Sequence, residues 1–230
     1  TVTQGEKVYT AERTVDLYAK FGGSSAYVGF TGGTGGSTAQ QFVGEFEMLD
    51  AVSAVTDYAN TVSVADGQSG ALTPLLFAED AAFSFGGLDL GSGATLNVSP
   101  AAGSMGNSDY SVAASNVTVA VGTATVNVAA NGTGTGVLGL ERLTVGTGAK
   151  LVVTGAVAAP GGVLTVVVPT PVPRGATVLA DFTGATWVGA LPTLVLVDEL
   201  GNVLEETKYL FLSNGKLTIN TVLGTVLFLK

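Results

Sequence analysis

The sequence predicts an all-β chain in which short strands stack as a β-solenoid and an antiparallel cap closes the C-terminal end. Three observations carry this. Short apolar runs with period-2 alternation are separated by Gly, Asn, Ser and Asp, the punctuation of strands and turns. Strings recur: residues 94–98 (ATLNV) match 124–128 (ATVNV) at an offset of 30, and 88–98 (LDLGSGATLNV) match 143–153 (LTVGTGAKLVV) at an offset of 55. Only 12% of residues are charged, about half the usual share, while 47% are hydrophobic, so a large core can be buried. The alternative is an antiparallel sandwich or jelly roll, which also suits alternating strands with frequent turns. Further echoes follow at unequal offsets, 149–153 coming 25 residues after 124–128 and 164–168 another 15 later, and this weighs towards the alternative. The recurrence of whole strand, Gly-x-Gly turn, strand strings weighs more heavily for the solenoid.

In chain order, residues 1–20 read as two strands around a Gln4-Gly5-Glu6 turn, with Val8 and Thr10 alternating with Tyr9. Residues 26–30 (AYVGF) form the next expected strand. Residues 31–38 hold four glycines in eight positions, and in 42–48 Phe42, Gly44 and Phe46 alternate with Val43, Glu45 and Glu47. Residues 51–59 are the best helix candidate, with Asp50 as N-cap, although Val52, Val55 and Thr56 are poor helix formers. The repetitive strands occupy the chain from about Asn60. Residues 169–173 (PTPVP) interrupt them as a spacer or corner. The remainder reads as antiparallel, with hairpin turns at 197–202 and at 213–216, where Asn214-Gly215 is the strongest turn signal in the chain. The expected divisions are therefore 1–50, 51–173 and 174–230. Thr1 in place of Met reads as a processed or trimmed end.

The first part resembles a known family. Residues 2–17 (VTQGEKVYTAERTVDL) and 24–48 (SSAYVGFTGGTGGSTAQQFVGEFEM) resemble the C-terminal part of L-type, legume-lectin-like β-sandwiches. There a VDL-type strand precedes an AYVGFTAATGG-type strand, a loop and a closing strand. The resemblance implies that Thr31, Gly32, Gly33, Thr34, Gly35, Gly36, Ser37 and Thr38 form a carbohydrate-rim loop. The sugar site of that family also needs an Asp, a Gly, an Asn and a Ca²⁺-binding loop upstream, and these have no counterpart here. A fifty-residue piece of a sandwich leaves strand edges that something must cover. Strings such as LTVGTGAKLVVTG over roughly 61–190 resemble autotransporter-type repeats of bacterial surface proteins.

Composition excludes several functions. No Lys or Arg lies between Lys20 and Arg142, so no phosphate-tracking groove can form there and nucleic acid is not an expected partner. The chain has no Cys and no His, which removes thiolate metal sites, disulfides and a Ser-His-Asp triad. No apolar run is long enough for a membrane-spanning helix, and a net charge of −9 disfavours anionic lipid, so membrane insertion is not expected.

The remaining constellations each have a plain reading. Glu45 and Glu47 lie on one strand face at a spacing that suits glycoside hydrolysis, but a solvated face opposite Phe46 and Met48 explains them. Glu79-Asp80 and Glu205-Glu206 are adjacent and point apart on a strand. The strings 66–70 (DGQSG) and 107–109 (NSD) carry oxygens suited to Ca²⁺ but lack the spacing of known Ca²⁺ loops, and Asx turns explain them. The loop at 31–37 has no Lys-Ser/Thr after it and is not a phosphate loop. Ser213 and Lys216 form a Ser-x-x-Lys across the Asn-Gly turn, which reads as turn chemistry. Asn97, Asn116 and Asn131 stand in Asn-x-Ser/Thr sequons. Trp187 reads as core rather than as a sugar platform.

These readings converge on a non-enzymatic, extracellular or cell-surface bacterial protein with no cofactor and no metal. Its expected role is structural or adhesive, as a fibre or surface-layer subunit assembling with copies of itself by strand pairing. The terminal apolar strand, with Val222, Leu223, Val226, Leu227, Phe228 and Leu229, either packs at home or is donated to a neighbour. The alternatives are a lectin-like module that binds surface glycans through the 31–38 loop, and a β-helix polysaccharide hydrolase or lyase.

Overall fold

The structure is a computed structural model, described over residues 2–4, 7–9, 55–76, 79–173 and 175–221. The chain divides into two compact units, Thr1–Ala51 and Val52–Lys230. In the first, β1 (Val2–Gln4) and β2 (Lys7–Tyr9) pair antiparallel, with Val2 opposite Tyr9 and Gln4 opposite Lys7. The expected strands at 26–30 and 42–48 lie outside the described residues.

The second unit is a parallel β-solenoid of about five turns. Each turn has three sides. On the first side stack the N-terminal halves of β3 (Val55–Val64) and β5 (Ala81–Leu90), then β7 (Tyr110–Ala114) and β10 (Gly136–Leu140). The C-terminal ends of β12 (Lys150–Ala158) and β14 (Gly175–Trp187) complete that side. The second side carries the other halves of β3 and β5, then β8 (Val117–Val119), β11 (Arg142–Val145), β13 (Val163–Val167) and β15 (Thr193–Val197). The third carries β4 (Ser69–Leu72), β6 (Thr95–Val98), β9 (Thr123–Val128) and the N-terminal parts of β12 and β14. Every pairing from coil to coil is parallel, which excludes the sandwich and jelly roll, since those are built from antiparallel neighbours.

The sequence repeats are the stacking register. Leu88 lies over Val117 and Val117 over Leu143, so the 55-residue offset spans two coils. Leu96 lies opposite Val126 and Val98 opposite Val128, which is the 30-residue offset. The string at 149–153 stacks two residues out of the alignment, with Leu151 opposite Ala124 and Val153 opposite Val126. A slip of two keeps inward residues inward, because the side-chain period is two. The string at 164–168 belongs to the second side and stacks between β11 and β15, not on β12. Inward residues from all three sides meet along the axis: Leu88, Leu96, Val112, Leu138, Leu143, Val153 and Leu164 are all buried. Each such side chain contributes roughly 1.5–3 kcal/mol relative to exposure.

Two expectations are corrected. Residues 55–59 are not helical: they open β3, paired in parallel with β5, so that Val55 faces Ala82 and Tyr58 faces Phe85. The β-branched Val55, Thr56, Thr61, Val62 and Val64 suit a pleated surface, and pairing with the next coil overrides a weak helical pattern. Parallel stacking also continues beyond Pro173 through β14 and β15. Antiparallel pairing begins later, with β17 (Lys216–Thr221) on the outer edge of β14 and β16 (Leu210–Ser213) on β17. Both expected turns are present. Val197 bridges Val203 across the first, and Asn214 (φ 49) and Gly215 (φ 72) form the two-residue turn of the second. Between β15 and β16 lies a short 3₁₀ helix, η1 (Glu205–Tyr209). Trp187 packs edge-on against Phe182, centroids 5.2 Å apart at 69°, at the end of the core.

Candidate functional site

Thr31 to Thr38, Glu45, Glu47 and the strand from Val222 to Leu229 lie outside the described residues. Several of the described polar side chains tie one coil to the next. Asp66 Oδ1 accepts the Ser92 N–H at 2.7 Å. Asn107 Oδ1 accepts the Thr133 N–H at 3.0 Å, and Asp109 Oδ1 accepts the Thr135 N–H at 2.6 Å. Asn131 Nδ2 donates to the carbonyls of Met105 and Ser108 at 2.8 and 3.0 Å. The two strings considered for Ca²⁺ are therefore turns whose oxygens accept from the following coil. Around the second lies a shallow cavity of about 330 Å³, bordered by Glu79, Asp80, Asn107, Asp109 and Thr133. Among the described residues no three His, Cys, Asp or Glu side chains converge as metal ligands.

On the outer surface of the third side, Asn127 Nδ2 donates to Asn97 Oδ1 and Thr154 Oγ1 donates to Asn127 Oδ1, each at 2.9 Å. On the second side Thr144 Oγ1 donates to Asn116 Oδ1, and Asn116 Nδ2 donates to Thr118 Oγ1, again at 2.9 Å. All three sequon asparagines thus take part in side-chain ties. Sequence reasoning read Asn97 only as a sequon, yet the signal was present: Asn97 and Asn127 hold the same place in the matching strings ATLNV and ATVNV. Ser108, within the string at 107–109, is itself buried.

Perturbed ionisation follows the same pattern of local structure. Burial pushes the Tyr110 hydroxyl up to about 12, and that hydroxyl donates to the Ala129 carbonyl at 2.7 Å. The Thr183 hydroxyl and N–H hold Asp181 below the usual carboxylate range. Asn202 does the same for Asp198 through its side chain and its N–H, inside the turn those two residues close.

The ends of the stack differ from its middle. Tyr58 stacks on Phe85, centroids 5.3 Å apart at 15°, in the inward row of the first side, yet it is 44% exposed because it belongs to the first coil. The carbonyls of Gln68, just before β4, and of Leu72 at its end accept from Thr95 and Ser99. Alternate residues of a parallel strand face opposite neighbours, so the backbone groups of Ala71 point to the outer edge. At the other end the second side is closed over. Leu204 N–H donates to the Leu196 carbonyl at 2.9 Å, and Thr207 Oγ1 meets both backbone groups of Leu196. On the third side the outermost strand among the described residues is β16, with Phe211 49% exposed. Compared with family models, with curated proteins and with solved structures, the chain matches none.

Proposed function

We propose that this chain is a structural element of an extracellular or cell-surface assembly, a self-associating scaffold rather than an enzyme. The observation that supports the reading best is the use of the polar side chains. Asp66, Asn97, Asn107, Asp109, Asn116, Asn127 and Asn131 are engaged in ties within or between coils. Side chains held in this way rigidify a stack and are not poised for acid–base or nucleophilic work. The sparse charge and the resemblance to surface-protein repeats supply the setting, and strand pairing between copies is the proposed means of assembly.

Electron microscopy of the full chain, with sedimentation over a concentration series, tests this. Filaments or sheets growing with concentration are the expected result. A monodisperse monomer that binds glycans in a Ca²⁺-dependent way would overturn it in favour of the lectin-like module.

A further inference from the structure

We infer that copies of this chain join end to end, the β16 edge of one meeting the β4 edge of the next in a parallel junction. This rests on the self-assembly reading and adds its geometry. Three observations carry it.

The first is strand direction. On the third side β4, β6, β9, β12 and β14 all run parallel. β17 reverses against β14, and β16 reverses again against β17. Two reversals return β16 to the direction of β4. A second copy translated along the axis therefore presents β4 to β16 in the same parallel sense as every other coil-to-coil pair. Both strands are four residues long. The alternation also agrees: Gly70 and Leu72 share the inward row of Leu96 and Val98, and Leu210 and Leu212 share that of Leu217 and Ile219. Leu72 and Leu212 are only half-buried within one copy.

The second is which edges are open. Among the described residues nothing pairs with the outer edge of β4 or of β16. The second-side edge at β15 is occupied by the chain's own 203–207 segment, so the junction is directed away from the second side.

The third is charge. In a solenoid, sequence order is axial order. Residues 55–141 hold seven carboxylates and no Lys or Arg, whereas the described residues from 142 to 221 set Arg142, Lys150, Lys208 and Lys216 against five carboxylates. Two N-terminal ends bring together carboxylates with no cation among them and repel, whereas an N-terminal end meets interspersed cations at a C-terminal end. This favours a heterologous contact, which grows without closing, over a symmetric head-to-head dimer.

The chain has no cysteine, so introduced thiols report cleanly. Ala71 and Phe211 are both exposed and face outward, and substituting them leaves the core untouched. Under mild oxidation the Ala71→Cys/Phe211→Cys double variant is expected to run as a ladder of dimers, trimers and longer species on a non-reducing gel. Each single variant stays monomeric on that gel. Dimers from Phe211→Cys alone would mean tail-to-tail pairing, and dimers from Ala71→Cys alone head-to-head pairing; either overturns the inference. Absence of cross-links in the folded double variant also overturns it. Sedimentation of the unmodified chain reports separately on self-assembly. If the chain associates but the ladder is absent, only the junction is wrong. If it stays monomeric at every concentration, the scaffold reading falls as well.

Discussion

At the scale of single residues, coil spacing decides which glycines are indispensable. Gly155 sits within β12 where the chain turns from the third side to the first, at φ +94, and a Cβ there would fall on the Val128 carbonyl oxygen of the preceding coil. Gly148 has φ +70 but open space around a Cβ. Gly148→Ala should then cost about 1 kcal/mol, from backbone strain alone. Gly155→Ala should cost about 3 kcal/mol or more, because two coils must move apart as well. Denaturant titration compares them, and equal costs would show that the corner is not set by close approach. Tyr110 gives a second residue-level prediction. Its folded pKa of about 12 exceeds the unfolded value near 10, so the native state keeps a proton the unfolded chain has lost. The stabilisation is complete below pH 10 and disappears as pH rises to 12, on the order of 2 kcal/mol. Tyr110→Phe should lose that component of the alkaline slope; an unchanged slope would assign it to other groups. The sequence marks Gly148 as a turn residue through its Gly-x-Gly string and gives Gly155 no such mark. It does not show which one lies under a carbonyl, because that depends on the neighbouring coil rather than on the local string.

At the scale of elements, strands were legible where inward and outward residues alternate, as in 94–98 and 124–128. They were misread where the partner decides. Residues 55–59 have no alternation strong enough to exclude a helix, and only β5, about 27 residues on, makes them a strand. Coil length was legible on average but not coil by coil. Leu151 pairs with Ala124 rather than Ala149 doing so, because turns of different length separate the strands. The Asn214-Gly215 hairpin was readable outright, since the left-handed pair it needs is a local property. The tie between coils 2, 3 and 4 through Asn97, Asn127 and Thr154 is an element-level device and can be cut at one point. Asn127→Ala removes both of its side-chain hydrogen bonds, at 2.9 Å each, and should cost about 1–2 kcal/mol without changing the denaturant m-value. A loss within experimental error would mean that solvent satisfies Asn97 and Thr154 equally well.

At the scale of the whole molecule the solenoid is quasi-one-dimensional, so charge placed in one stretch of sequence stays in one stretch of the stack. The first three coils hold Asp57, Asp66, Glu79, Asp80, Asp89 and Asp109 with no cation among them, and Glu141 follows at the start of the fourth. Glu79, Asp80 and Asp109 border the same shallow cavity, so their repulsion is concentrated there. Folding brings these charges together while the unfolded chain holds them apart, so self-repulsion is a cost of the native state. It should be largest at low ionic strength, and it should fade once the Debye length drops below the spacing of the group, about 10 Å at 0.1 M salt. Asp80→Asn isolates the effect. Asp80 has φ 55, and Asn tolerates that left-handed conformation, so the substitution removes a charge without adding strain. The expected result is a rise in Tm on the order of 1 °C in low salt that shrinks towards zero at high salt. A gain that persists unchanged in high salt would assign it to local backbone preference, and a loss would mean that the Asp80 carboxylate is favourably solvated at the rim of the cavity.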